Sequence, residues 1–167
     1  YTETYDNFPE NYYKVGRSYT DANQYLSLVH ESDEAVKNLI SYFSKVDDPV
    51  EIIFFGDHQP SLNSNFYPIL NGKGLTGLTE DELEKLYTVP FFIWTNYDTP
   101  EETVDITSLD YLSTMALERA GIELPAYNKF LADMQEVVPA INSRGYYSKS
   151  AGGFLHIEEA TGEEADW

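Results

Sequence analysis

Val50-Glu51-Ile52-Ile53-Phe54-Phe55-Gly56-Asp57-His58-Gln59-Pro60 is the stretch on which the fold reading turns. Its first six residues form a short, nearly continuous apolar run, and Gly56 closes it. Such a run between turn signals reads as a buried strand, and a strand apolar on both faces belongs in a sheet covered by helices. Upstream, apolar residues fall at Ala22, Tyr25, Leu26, Val29, Val36, Leu39, Ile40 and Phe43, mostly at helical spacing. They predict a long helix from Thr20, stopped by Asp47-Asp48-Pro49. Helix, turn and buried strand in that order predict an α/β layered fold with a parallel sheet.

Downstream, residues 59–78 are punctuated by Pro, Asn and Gly and read as a long loop. Thr79-Glu80-Asp81-Glu82 has the pattern of a capping box, opening a short helix that runs to about Tyr87. A second apolar strand spans Val89 to Trp94, with Pro90 tolerable at its start. A third helix is expected from Ser108, ended by Gly121 in a left-handed cap. A fourth runs from about Tyr127 to Val138. The Gly-rich remainder predicts a turn or hairpin. Two visible strands are too few for an independent covered sheet, since sheets usually have ~4–6. The chain therefore reads as part of a larger α/β domain over residues 1–157, followed by a disordered acidic tail at 158–167.

Charge and composition restrict the function. The 167 residues carry 29 acidic and 10 basic side chains, a formal charge of −19, which repels phosphate backbones and anionic lipid. Nucleic-acid binding and a polybasic membrane anchor are thereby disfavoured. Aromatic residues make up 15% of the chain, far too many for a disordered polyanion. The absence of cysteine excludes disulfides, thiolate catalysis and cysteine-held zinc. No apolar run reaches the ~18 residues of a membrane span. The opening residues, Tyr1 to Tyr5, have neither Met nor the features of a signal peptide, so the chain is expected to begin inside a longer gene product.

The chemistry-bearing residues are Asp57 and His58. Both are good ligands for a divalent cation, and the carboxyl end of a strand is where open α/β sheets bind ligands. Gly56 is expected to let the backbone turn so that the two neighbouring side chains can share one side. The competing reading is a plain turn, with Asp57 capping a backbone N–H and His58 on the surface. Two ligands do not complete a site. His30 reads as a solvated helix-face histidine, His156 as part of an edge strand, and Ser61 as a loop serine without an activating base. Trp94, Asn96 and Tyr97 could line a pocket beside Asp57, though packing explains them equally. Arg17 and Arg144 are the candidate phosphate contacts.

The run VEIIFFGDHQPS at Val50 to Ser61 resembles the Gly-Asp-His metal motif of the lipoteichoic acid synthase family. These phosphoglycerol transferases have a sulfatase-like domain of the alkaline phosphatase superfamily. Ser18-Tyr19-Thr20-Asp21-Ala22, Thr88-Val89-Pro90-Phe91-Phe92-Ile93-Trp94 and Ser108-Leu109-Asp110-Tyr111-Leu112 resemble it too. So do Ala120-Gly121-Ile122 and Tyr127-Asn128-Lys129-Phe130-Leu131, all in the family's order.

The resemblance implies a partial alkaline phosphatase/sulfatase-like sheet flanked by helices, only the C-terminal portion of the full domain. Asp57 and His58 would be two ligands of a divalent metal, manganese or magnesium and in some cases zinc, weakly held by this chain alone. The family's nucleophilic Thr, its acidic ligand and a substrate-contacting His would lie upstream, so no catalytic residue is assigned here. The function implied is transfer of phosphoglycerol, or cleavage of a related phosphodiester or sulfate ester, in cell-envelope polymer synthesis. It would pass through a phosphoglycerol–Thr intermediate, with a glycerophosphate-type lipid or polymer as substrate. The intact protein would work on the extracellular face of the bacterial cytoplasmic membrane, and the isolated chain would be inactive. The alternative is a non-catalytic module that binds a partner or glycan on the same scaffold. A metallophosphoesterase of the Asp-x-His type is disfavoured, because its further Asp-x-His and Asn-His segments do not occur.

Overall fold

The computed structural model describes residues 19–167. In order, the chain forms α1 (Thr20–Phe43), β1 (Glu51–Phe55), α2 (Tyr67–Asn71), α3 (Glu80–Glu84) and β2 (Phe91–Thr95). Then follow α4 (Leu109–Arg119), α5 (Ala126–Val137), β3 (Tyr146–Ser148) and β4 (Gly153–Leu155). Single 3-10 turns occur at Leu75–Gly77, Ile157–Glu159 and Gly162–Ala165. This is the mixed α/β content expected of a partial sulfatase-like fold. The described residues divide into two units, one of residues 19–50 with 55–91 and the other of 51–54 with 92–167.

In the first unit, α1 is one unbroken helix of 24 residues, carried straight through the polar gap at Ser32-Asp33. Its buried side is the amino-terminal part, where Ala22, Asn23 and Ser27 are enclosed. The Ser27 hydroxyl donates to the Asn23 carbonyl oxygen one turn back at 2.8 Å, so its burial leaves no donor unpaired. Asp21 accepts the Asn63 backbone N–H at 2.6 Å, and the Tyr19 and Phe66 rings meet at 5.3 Å. These contacts tie the start of α1 to the segment before α2. The long loop expected at 59–78 thus contains a helical turn, with Pro68 at its start and Gly72 at φ 73° as its left-handed end. At α3 the capping box is present. Thr79 N–H donates to Glu82 Oε2 at 2.7 Å, and Glu82 N–H to Thr79 Oγ1 at 3.4 Å.

In the second unit α4 packs against α5. Tyr111 is 1% exposed and donates its hydroxyl to the Val138 carbonyl oxygen at 2.8 Å. Burial pushes its phenol pKa up, and the nearby Asp110 charge adds to that. Leu112, Ala116 and Leu131 complete the apolar seam. Ser108 precedes α4 without capping it. Its hydroxyl donates to the Ile141 carbonyl oxygen at 2.8 Å and accepts the Ile141 N–H at 2.6 Å, fastening the helix start to the chain beyond α5. Helix α4 ends in a Schellman motif. Gly121, at φ 68°, donates to Glu118 O, and Ile122 to Leu117 O.

Two differences from the sequence reading stand out. Strand β1 is not fully buried: Ile53, Phe54 and Phe55 are exposed, because β1 has a single neighbour, β2, in a two-stranded sheet. The pair is also not parallel. Tyr97 contacts Glu51, Phe92 stacks on Phe54 at 5.2 Å, and Pro90 O accepts the Gly56 N–H at 3.1 Å. Partners therefore descend as β1 ascends, the antiparallel relation. Between these strands lie only helices of five residues, α2 and α3, rather than one crossover helix of the usual kind. The tail at 158–167 carries short 3-10 turns. Glu164 accepts hydrogen bonds from Tyr146 at 3.0 Å and Ser148 at 2.8 Å, and the Trp167 ring lies 5.5 Å from Phe130. Tyr146 and Ser148 are β3 side chains, in a hairpin whose register pairs Tyr146 with Leu155, and Phe130 belongs to α5.

Candidate functional site

Gly56 places the site, for a different reason from the one the sequence suggests. It is not among the glycines with positive φ, which among the described residues are Gly72, Gly121, Gly152 and Gly162. A Cβ at position 56 would come within 2.8 Å of the Val89 Cβ. Glycine is therefore required by close approach of the chain leading into β2, which lets the Gly56 N–H reach Pro90 O. Beyond Gly56 the backbone leaves the strand, and Asp57 and His58 are free of the alternation that would send them to opposite faces.

The two side chains do converge. Asp57 Oδ1 accepts the His58 backbone N–H at 2.9 Å, and Asp57 Oδ2 faces His58 Nε2 at 3.5 Å. His58 Nδ1 lies 2.9 Å from the Gln59 carbonyl oxygen. A carbonyl only accepts, so Nδ1 carries the proton, and in the neutral ring Nε2 holds its lone pair towards the carboxylate. Two acceptors then face each other unless a proton or a cation lies between them. The 3.5 Å separation is long for a hydrogen bond, which prefers ~2.7–3.2 Å. Two donors of a tetrahedral ion with ligand distances of ~2.0–2.1 Å would stand about 3.4 Å apart. The donor pair thus has the chemistry and the spacing to share a divalent cation. Both side chains are open to solvent, 77% for Asp57 and 63% for His58, so access is unobstructed.

The remaining ligands are not supplied here. Among the described residues no group of three or more His, Cys, Asp or Glu side chains is arranged to hold a metal ion. His30 is half-buried within α1. His156 follows β4, and its backbone N–H donates to Glu159 Oε2 at 2.9 Å, so it begins a 3-10 turn and is not itself in the edge strand. Ser61 is exposed. Arg144 is half-buried with its N–H on Asn142 Oδ1 at 2.8 Å, while Arg17 lies outside the described residues.

Tyr97 does not join Asp57 in a pocket. Its hydroxyl donates to Glu51 Oε2 at 3.3 Å, at the amino end of β1, whereas Asp57 follows the carboxyl end. The antiparallel pairing is what puts it there. Burial pushes the Glu51 carboxyl pKa up, opposed by the Tyr97 hydroxyl and the Arg119 charge. Arg119 itself donates to Thr99 Oγ1 and to the Pro100 carbonyl oxygen, both at 2.9 Å, and so closes the turn after β2.

Sequence reasoning did not single out Gln59 or Thr88. The Gln59 side-chain amide donates to the Thr88 carbonyl oxygen. An acceptor on the backbone of a residue 29 positions away leaves no trace in residue identity.

The sulfatase family profile matches residues 1–122, a span that contains β1, the Asp57–His58 turn, β2 and α4. A protein of Rhizobium meliloti (strain 1021) described as "Putative cyclic beta-1,2-glucan modification protein" is 30% identical over 115 residues. That alignment covers 67% of this chain and 18% of the relative. The "Capsular polysaccharide biosynthesis protein RkpI" of the same organism is 41% identical over 51 residues, 30% of this chain and 10% of the relative. The chain thus spans under a fifth of the length of either relative. No solved structure matches it significantly. No helix among the described residues is long and apolar enough to cross a membrane. With the profile extending over well more than half the sequence, the chain belongs to the sulfatase family.

Proposed function

We propose that this chain contributes the Asp57–His58 rim to a metal-dependent sulfatase-family domain that transfers a phosphoglycerol group to a hydroxyl of a cell-envelope polysaccharide. The observation that carries the reading is the convergence of His58 Nε2 and Asp57 Oδ2 at 3.5 Å, with the other imidazole nitrogen already committed to a carbonyl. The polysaccharide acceptor is favoured by the two relatives, whose names refer to glucan modification and capsular polysaccharide biosynthesis. The phosphoglycerol group and the lipid donor rest on the resemblance of the Gly-Asp-His run and its companion motifs to the lipoteichoic acid synthase family.

Asp57 and His58 would hold the divalent ion, manganese or magnesium or zinc, with further ligands from outside this chain. Such an ion supplies Lewis acidity that neutralises charge developing on phosphoryl oxygens and favours a deprotonated nucleophile. Asp57 contributes a negative charge, and its fixed Oδ1 leaves Oδ2 for the ion. In the overall transfer, the phosphorus–oxygen bond to a diacylglycerol-type leaving group breaks and one to the saccharide oxygen forms. The acceptor's proton ends on the departing alkoxide. No Thr or Ser of this chain has the nucleophile's sequence context, so the chain alone should cleave no phosphodiester. The setting proposed is the outer face of the cytoplasmic membrane.

The test uses the whole gene product that contains this chain, assayed with a phosphatidylglycerol analogue and an oligoglucan acceptor in manganese. Asp57→Ala and His58→Ala should each lower turnover at least 100-fold while the protein remains folded. Undiminished turnover in both variants would refute the metal-rim assignment. Cleavage of an added sulfate ester by the parent, without any phosphoglycerol transfer, would replace the transferase with a hydrolase.

A further inference from the structure

Gln59 sits between the candidate ligands and the chain that leads into β2, and it makes two contacts of different kinds. Its carbonyl oxygen accepts the His58 Nδ1–H at 2.9 Å, and its side-chain amide donates to the Thr88 carbonyl oxygen. Thr88 is itself fixed: its hydroxyl donates to Glu84 O at 3.1 Å and its N–H to Lys85 O at 3.4 Å. Two residues further, Pro90 O takes the Gly56 N–H, and between them Val89 fills the space against Gly56. The turn 56–59 is therefore fastened at both ends to the run 88–90. Only the Gln59 end controls the direction of the carbonyl that His58 reads.

A histidine ligand ordinarily donates its second ring N–H to an oxygen, which selects the tautomer and orients the ring. Here that oxygen belongs to a peptide group exposed to solvent, so the imidazole alone could not hold it in place. We infer that Gln59 is a positioning residue for the proposed metal centre, its side-chain tether to Thr88 aiming its own carbonyl at His58 Nδ1 so that Nε2 is presented beside Asp57 Oδ2. This inference rests on the metal-rim reading and adds to it the means by which an exposed, two-residue donor pair stays organised before an ion arrives. The tether is a single neutral amide, and an isosteric side chain without the donor removes it while leaving charge and backbone intact.

The experiment compares the 15N-labelled chain, Gln59→Met and Asp57→Ala. Two readouts are used: the His58 tautomer from long-range nitrogen–proton correlations without metal, and the His58 Nε2 shift on zinc titration. In the parent, Nδ1 should carry the proton, and zinc should shift Nε2. In Gln59→Met the Nε2–H tautomer should become substantial and the apparent zinc affinity should fall about 10-fold, within the range seen on loss of such outer contacts. Thermal unfolding should be unchanged, since the side chain is exposed. Parental tautomer in Gln59→Met, or parental affinity, would overturn the positioning role. Asp57→Ala separates the two readings: if it binds zinc at His58 as the parent does, the metal rim itself is wrong, whatever Gln59 does. If it loses the site while Gln59→Met does not, only the present inference fails.

Discussion

Two sets of polar side chains lie in this chain under opposite conditions. Around α4, α5 and the β3–β4 hairpin, Ser108, Thr114 and Ser148 are buried, and each has a hydrogen-bond partner. Thr114 Oγ1 accepts from Asn128 at 3.0 Å, and Ser148 donates to Glu164 while accepting the Ala151 N–H at 3.1 Å. After β1, Asp57 and His58 are exposed, and Asp57 Oδ2 faces His58 Nε2 at 3.5 Å. A buried polar group must be paired or it costs stability, so the first set is explained by the fold itself. In the second set Asp57 Oδ1 and His58 Nδ1 hold the turn through the His58 N–H and the Gln59 carbonyl, which leaves Oδ2 and Nε2 uncommitted to the backbone. The difference is between polar groups enclosed by the fold and polar groups open to solvent, the latter being those to which we assign the proposed cation site.

If the contrast is sound, truncation should act oppositely in the two regions. The largest effect on stability belongs to Tyr111→Ala, which removes a ring that is 1% exposed and leaves the Val138 carbonyl without its partner. A loss of about 3–5 kcal/mol is expected in denaturant unfolding. A loss below about 1 kcal/mol would show that the α4–α5 seam is loosely packed.

Gly56→Ala comes next, because it touches the rim through packing. The added methyl must displace Val89, a strain of about 1–3 kcal/mol, and it should also misplace Asp57 and His58. Unchanged His58 nitrogen shifts in this variant would sever the link between the glycine and the site.

The smallest effect is a pH dependence at α3. The Glu82 carboxyl is held low, at about 2, first by the Lys73 ammonium at 2.7 Å and then by the Thr79 N–H. Its folded pKa lies below the ordinary value of 4.5, so this stabilising contribution is present above about pH 4.5 and is lost as pH falls through about 2. The protection of amides over residues 79–86, taken relative to the intrinsic exchange rate at each pH, should fall across that window, and Glu82→Gln should abolish the dependence. An equal fall in the variant would assign the effect elsewhere.

The sequence made some of this legible and hid the rest, for physical reasons. Helices α1, α4 and α5 follow from apolar spacing, and the Gly121 and Thr79 caps from local backbone needs that only a few residue types meet. The Gly-Asp-His run pointed to Asp57 and His58 because their chemistry is in their identity. Strand direction was not legible, since an apolar run reads the same either way. Pairing is decided by contacts between residues distant in sequence, such as Phe54 with Phe92. The helical turn at α2 was masked by the Pro and Gly that in fact start and end it. The acidity of the tail suggests solvation, and residue identity alone does not reveal the hydroxyls of Tyr146 and Ser148 that donate to Glu164. Gly56 was picked out correctly but for the wrong reason, because close approach depends on Val89, 33 positions further along the chain.

The central claim is that Asp57 and His58 form a specific cation site on a chain whose charge of −19 would attract cations everywhere. Manganese added in small increments to the 15N-labelled chain tests it directly, read as paramagnetic broadening of backbone amides. The account predicts that broadening starts at Asp57, His58 and Gln59 and that Asp57→Ala removes this first phase. Broadening that begins at the acidic stretches 80–84 and 158–166, with residues 57–59 untouched and the variant indistinguishable, would contradict it.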